Sequence, residues 1–329
     1  MPSVQQQVLR LIAVAIVSAI VVSCEKSGTQ SPGAGSVSDS AIRQTLSIGV
    51  LPVVPSLPYY VAKDSGCFEN AGLTINERSY ESTSSMITDL LTGRVDALPM
   101  VAAYEFVEAV ATSGKDLRSA LIALAEQDST VHRLEVSPGS SIRTLADLSG
   151  KKLGLLPGPA MQAHAKVLLE KYAKDVTLVP VPPALQGSAL MSGQVDAVLS
   201  LEPSGTLIEA RGGRVLQMNP LYEGVQKPFP AALSAYLAGP DSKPGIARFN
   251  VCLIQAADAM TTRPELAQKA LVTYMNVPAG LAPKVGLYRY RHGSDFDSDV
   301  VKKIAALYRR VGAIPTEPNL SKVAENAAR

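Results

Sequence analysis

Few residues of this 329-residue chain carry types that do chemistry, and their spacing excludes most of it. The three histidines, His132, His164 and His292, are scattered. Two of them stand beside Arg133 and Arg291, where neighbouring positive charge disfavours a poised base. His164 lies one position off the apolar face of its predicted helix and reads as a solvated or rim residue. Asp96 and Asp196 recur in equivalent settings, but each is expected to support its own strand start by local hydrogen bonding. There is no G-x-S-x-G elbow, no H-E-x-x-H, no Walker A loop and no G-x-G-x-x-G after a strand. No C-x-x-C or His/Cys cluster has metal-ligand spacing. No catalytic residue, cofactor or metal is therefore expected. What remains is recognition by strand ends and helix starts, where free backbone N–H groups meet a ligand. In the first half of the chain those ends are Val53, Pro55 and Ser56; Ser82, Ser84 and Ser85; and Pro99 with Met100. In the second they are Gly158, Ala160 and Met161; Gln186; and Glu202. Each alone is ordinary turn or cap chemistry, and as a set they face one place.

The elements that must position them are written in a repeated phrase. Residues 90–98 read LLTGRVDAL and residues 190–198 read LMSGQVDAV. Each is the end of an apolar helix, a Gly stop and a strand opened by Val-Asp-Ala. The hundred-residue interval is about one compact lobe. Around the first copy, Leu46–Val50 and Gly72–Glu77 alternate as strands, Pro58–Asp64 reads as a helix, and Ser82–Ser85 offer caps to a helix through Leu91. Around the second, a turn at Thr144–Leu148 precedes a strand at Lys151–Leu156. A helix follows with Met161, Ala165, Leu168, Leu169 and Tyr172 on one face. A strand at Val176–Val181 and a helix to Met191 complete the unit. Strand and helix alternate throughout, which predicts parallel α/β lobes with right-handed crossovers. Ala231–Ala238 reads as a returning strand. Thereafter helices dominate, with Thr262 as a cap before Pro264, and this C-terminal part is expected to pack back on the first lobe rather than form a third domain.

Composition bounds the class. Hydrophobic residues make up 47% and charged residues 18%, a globular balance rather than a disordered one. A net charge of +2 without clustered basic residues excludes a nucleic-acid partner. The apolar run from Leu11 to Val22 is too short for a ~20-residue membrane span and suits a secretory leader; an uncleaved anchor is the alternative. It ends Val21-Val22-Ser23-Cys24, which resembles a bacterial lipobox and makes Cys24 the expected lipidated first residue. The Gly/Ser-rich stretch that follows reads as a tether. Cys67 and Cys252 are either a disulfide or two buried thiols, and spacing does not choose.

Pro58–Leu73, reading PYYVAKDSGCFENAGL, resembles the opening of a type II periplasmic substrate-binding protein. More narrowly it is similar to the nitrate/sulfonate/taurine/thiamine-precursor-binding family of ABC importers. TLADLSGKKLG at residues 144–154, both Gly-x-Val-Asp-Ala copies and Glu202-Pro203 extend the resemblance over roughly residues 44–275. It implies two α/β lobes, each a parallel-rich sheet flanked by helices, closing on a solute that passes to a membrane permease. Crossings between lobes would fall near residues 130–140 and 225–232. The expected organisation is a leader at 1–24, a tether at 25–43, lobe one at 44–135 and 228–329, and lobe two at 136–227. The expected protein is a non-enzymatic, monomeric, lipid-anchored solute-binding protein facing the periplasm or cell exterior. Its partners are a small anionic or heterocyclic solute and an ABC permease with its ATPase. A sensing ectodomain, or an enzyme like the thiamine-pyrimidine synthases, is the alternative on the same fold. The synthases carry a Cys-rich motif that this chain lacks. The chain also has no Trp, and its lobe-one loops hold no Arg or Lys, so an anion there would rest on N–H groups and hydroxyls.

Overall fold

The alternation at Leu46–Val50 becomes strand β1 (Gln44–Val50), with Leu46 and Ile48 fully buried. This computed structural model describes residues 43–324, within one compact unit (Ala41–Arg329). The expected leader, Cys24 and all of the tether but Arg43 lie outside the described residues. Three prolines end β1's ladder, as expected of a residue that cannot donate to it. The chain turns through a 3-10 segment at Val54–Ser56 into α1 (Leu57–Asp64) and α2 (Cys67–Asn70). β2 (Leu73–Ser79) and β3 (Ala97–Ala102) pair in parallel on either side of β1. Between them runs α3 (Thr83–Leu91), capped by Ser82, whose Oγ accepts from the Ser85 N–H. α4 (Ala103–Thr112) springs directly from β3, and the short β4 (Leu117–Arg118) and β5 (Ile122–Ala125) follow.

The chain then crosses to a second sheet, which holds β6 (His132–Val136), β7 (Lys152–Leu155), β8 (Thr177–Pro180), β9 (Ala197–Leu201) and β10 (Arg214–Met218). Its helices are α5 (Pro159–Leu169), α6 (Pro183–Met191) and α7 (Ser204–Ala210). The turn before β7 is held by a capping box between Thr144 and Asp147. After α8 (Pro220–Gly224), β11 (Phe229–Leu237) rejoins the first sheet. α9 (Ile246–Thr262), α10 (Pro264–Met275), β12 (Arg289–Arg291) and α11 (Ser298–Arg310) complete the described chain. The first sheet has the order β12-β5-β11-β3-β1-β2, with β4 also on β11, and the second β10-β6-β9-β7-β8.

Among the described residues, the strands that pair in parallel are the three that the alternation predicts in each lobe, β2-β1-β3 and β8-β7-β9; one isolated parallel bridge joins Ser119 to Ala324. The strands that cross between sheets or return, β5, β6, β10, β11 and β12, pair antiparallel. No helix among the described residues is long and apolar enough to cross a membrane.

The repeated phrase has a structural job that is not local. Gly93 and Gly193 adopt positive φ, 72° and 73°, and each ends its helix. Asp96 then exchanges two bonds with Ser47 on β1: its N–H donates to the Ser47 carbonyl (2.7 Å) and its Oδ2 accepts from the Ser47 N–H (2.8 Å). Asp196 does the same with Lys152 on β7, at 2.9 and 2.8 Å. The carboxylates therefore fasten the start of one parallel strand to its neighbour, in place of the local hydrogen bonding expected for them. Replacing either by Ala leaves the N–H of Ser47 or Lys152, on an inner strand of its sheet, without its carboxylate acceptor. Asp96→Ala and Asp196→Ala are each expected to cost about 1–3 kcal/mol of stability, read as a lowered urea midpoint. Unchanged midpoints in both would dismiss the clamp.

The C-terminal helices pack on the first lobe through aromatic rings. Phe249 of α9 stacks on Phe68 (5.4 Å between centroids), and Tyr274 of α10 stacks on Tyr60 (4.4 Å). Cys67 and Cys252 form a disulfide there, joining α2 to α9 across 185 residues of sequence. Two sequence expectations fail in detail. Thr262 is the last residue of α9 rather than a cap, since α10 starts at Pro264 with Arg263 in the cap position. Tyr172 is exposed, because α5 ends at Leu169 and the apolar face ends with it.

Candidate functional site

The carboxyl ends of β2, β3 and β7 lead into α3, α4 and α5, and their first turns meet between the two sheets. The residue at the centre is Glu105, in the first turn of α4. It is 2% exposed, its Oε1 lies 3.4 Å from the Ser84 Oγ donor, and its Oε2 has no hydrogen-bond partner. On the far side stands Gly158, the N-cap of α5, with φ of 124°. A Cβ built on Gly158 would lie 4.0 Å from Glu105 Oε1, so the carboxyl faces bare backbone of the other lobe. Burial pushes the Glu105 pKa up to about 7, helped by the charge of Glu108, while its own N–H and the Thr83 and Ser84 side chains pull the other way.

The other predicted residues fall into distinct settings. Val53, Pro55 and Ser56 form the turn after β1; Ser56 is fully buried and its hydroxyl donates to the Leu51 carbonyl at 2.7 Å. Ser82 and Ser85 share their hydroxyls at 2.9 Å as cap chemistry. Pro99 and Met100 lie inside β3 and are buried, so the strand end expected there falls at Ala102 instead. Ala160 and Met161 occupy the first turn of α5 with their side chains in the core. Gln186, in the first turns of α6, is fully buried, with Nε2 3.4 Å from the Val181 carbonyl and Oε1 without a partner.

Glu202 ends β9 as expected, and its carboxylate is already engaged. It pairs with Arg133 at 2.7 Å, accepts from the Thr206 hydroxyl (2.8 Å) and N–H (3.1 Å), and reaches the Gly286 N–H at 3.4 Å. Arg133 also meets Glu209 at 2.8 Å. This network lies where the chain passes between the sheets. There the Glu202 N–H donates to Val131, and Asn219 donates its N–H to His132 and its Nδ2 to Glu126.

His164 is not a rim residue. It is 3% exposed, and its Nε2 lies 2.6 Å from the Tyr308 hydroxyl of α11. His132 is fully buried, 3.1 Å from the Tyr288 hydroxyl. Both rings meet the Phe229 ring edge to face, at 4.9 and 5.3 Å between centroids. Burial pushes both pKa values down to about 3, so both rings are neutral near neutral pH and supply no charge to the cleft.

Glu105 was absent from the predicted set. Its signal in the sequence is a carboxylate inside Ala102-Ala103-Tyr104-Glu105-Phe106-Val107, an otherwise apolar and aromatic run that begins at a strand end. Ionisable residues are rarely fully buried without a partner, so such a residue marks either a paired core charge or a site.

Comparison with known proteins places this geometry. The family model described as NMT1/THI5 like matches residues 55–230. No curated protein sequence matches the chain significantly. Among solved structures, the periplasmic aliphatic sulphonate binding protein SsuA from Escherichia coli is similar at 18% identity, with 86% of this chain and 92% of that one covered and a TM-score of 0.69. The alkanesulfonate-binding protein SsuA from Xanthomonas axonopodis pv. citri, bound to MOPS, is similar at 19% identity, with 86% and 98% covered and a TM-score of 0.69. The desulfurization enzyme DSZB has the same fold at 17% identity, with 86% and 96% covered and a TM-score of 0.62. The chain belongs to the NMT1/THI5-like family and carries the periplasmic-binding-protein fold.

Proposed function

We propose that the protein is the solute-binding component of an ABC importer, anchored by a lipid on Cys24 and holding its folded body off the membrane on the tether. The observation that carries this reading is the meeting of three strand ends and helix starts, from both lobes, around Ser84, Glu105 and Gly158. Ligands of open α/β sheets sit at such a place. The likeness to the SsuA proteins supports it. In this reading lobe one (44–135 and 228–329) and lobe two (136–227) hinge at the crossings, and solute shifts them toward the closed arrangement. A monomer delivers the solute to the permease and its ATPase on the outer face of the membrane. An enzymatic role has less support: among the described residues both cysteines are spent in the disulfide and the buried histidines are neutral.

A thermal-shift screen of the mature protein against sulfonates, nitrate, pyrimidines, aromatic acids and amines tests it. A true solute at ~100 times its dissociation constant adds about 2.7 kcal/mol of stability. Ser84→Ala is expected to weaken that solute's binding by roughly 1 kcal/mol or more, with the unliganded melting temperature kept. No shift from any compound would refute the reading, and unaltered affinity in the variant would remove Ser84 from the site.

A further inference from the structure

A site built from three helix starts is chemically suited to an anion, because unpaired N–H groups and the helix dipoles aim positive potential into it. Here α3, α4 and α5 have 9, 10 and 11 residues, and their first turns meet at one place. The protein has put its own carboxyl group there. Glu105 is 98% buried by its relative exposure of 2%, Ser84 holds one oxygen, and the second oxygen has no partner. Across from it Gly158 presents backbone without a side chain, and no Arg or Lys is paired with Glu105 among the salt bridges of the described residues. A buried carboxyl with an unmet acceptor is costly to keep unless something else meets it.

We propose that Glu105 contacts the solute directly and selects one that presents an N–H donor, in the form of an amine or amidine, while rejecting a sulfonate or nitrate group at that position. The inference rests on the solute-binding reading above and narrows it. A ligand ammonium or amidinium would satisfy Oε2 and hold the carboxyl ionised. An anion in the same place would force Glu105 to stay protonated or face like-charge repulsion. Where Glu105 is ionised, two like charges about 4 Å apart repel by about 4 kcal/mol at an effective dielectric near 20, roughly a thousandfold in affinity. Near pH 7 an anion needs only to keep the carboxyl protonated, and the loss falls to about twofold, so the rejection is strongest well above neutral pH. The SsuA proteins share the fold at 18–19% identity, a level at which the lining of a site is free to differ. Glu105 would then be the residue that redirects the fold from anion to cation.

The test uses calorimetry on the mature wild-type protein and on Glu105→Gln, with methanesulfonate and nitrate as one set of probes and benzamidine, agmatine and methylamine as the other. The expected result is binding of at least one amine or amidine to wild type, and at least a tenfold loss in Glu105→Gln, which keeps the shape but not the charge. Methanesulfonate or nitrate is expected to bind the variant better than the wild type. Carbon-13 observation of the Glu105 carboxyl in wild type supplies a readout that does not depend on the variant folding: the resonance should move on adding the amine probe and stay still on adding methanesulfonate. Sulfonate binding to wild type with equal affinity in Glu105→Gln would overturn the assignment and leave the importer reading intact. Amine binding with an unmoved Glu105 resonance would also overturn it. Binding of nothing in either set, combined with a blank wider screen, would overturn both readings together.

Discussion

Arg133→Ala is expected to cost about 3–5 kcal/mol of stability, the loss seen when one partner of a buried ion pair is removed. In a protein of this size that lowers the melting temperature on the order of 10 °C. Arg133 and Glu202 have side chains 5% and 0% exposed, and Arg133 provides the positive charge against the Glu202 carboxylate. A second carboxyl, Glu135, is also buried close by. Burial pushes its pKa up to about 8, with the Ser200 hydroxyl and Arg133 pulling it down. That leaves Glu135 mostly protonated near neutral pH, so removing Arg133 strips the countercharge from the Glu202 carboxylate above all. Glu209→Ala makes the informative control. Its side chain is 57% exposed, so its 2.8 Å pair with the same arginine is screened and worth about 0–1 kcal/mol. The expected order is Arg133→Ala far below wild type and Glu209→Ala near it. Equal losses would mean that the exposed pair, not the buried one, holds the crossing together. The arginine stem also packs tightly, because a Cβ on Gly205 would lie 2.8 Å from Arg133 Cδ, so its removal opens a void there. The Glu202 bond to Gly286 also ties the end of β9 to the segment that follows α10 on the other lobe.

The second large effect belongs to the disulfide. Cys67 and Cys252 close a loop of 185 residues, and in the chain-entropy account a closure of that length removes much of the freedom of the unfolded chain. Cys67→Ser with Cys252→Ser is expected to lose about 3–5 kcal/mol, read as a lowered guanidinium midpoint, with a folded circular-dichroism spectrum retained. Retention of the fold is expected because the same surface is held by rings. Phe68 and Phe249 stack, Tyr59 packs against both at 5.5 and 6.3 Å, and Tyr60 stacks on Tyr274. Reduction of the wild-type protein should reproduce the loss. A double variant with an unchanged midpoint would show that the rings alone fix α9 to α1 and α2.

How far the sequence reaches is visible in particular residues. The strands and helices of the two parallel cores are legible because alternation and Gly stops are local signals, and the doubled Val-Asp-Ala fixes where each third strand opens. The partner of each Asp was not legible. Ser47 and Lys152 lie 49 and 44 residues away, and only the parallel pairing brings them opposite. His164 misleads for a related reason. A helix with one partner buries one face, but α5 buries Ala160, Met161, Ala163, His164, Ala165, Val167, Leu168 and Leu169, nearly all round. It lies against α4 and α8 and reaches α11 through Tyr308, so a position off the apolar stripe is still interior. β4 and β12 have 2 and 3 residues, too short for alternation to announce them, and β5 and β6 are buried along their whole length, which leaves no alternation to read. Of the residues expected at strand ends, Ser84 and Gly158 come together at the candidate site, each facing Glu105. Glu105 escaped because a carboxylate in an apolar run carries no spacing of its own. Only the folded chain brings it opposite the bare Gly158 backbone of the facing lobe.

The claim on which the account stands is that the two lobes close on a solute. Spin labels at exposed Lys115, beside β4 of the larger sheet, and exposed Lys171, between α5 and β8 of the smaller one, report it through their distance distribution by pulsed electron resonance. With the best-binding compound from the screen added, the distribution is expected to narrow and move to the shorter distance. A compound that binds with the distribution unchanged in both mean and width would contradict closure between the lobes.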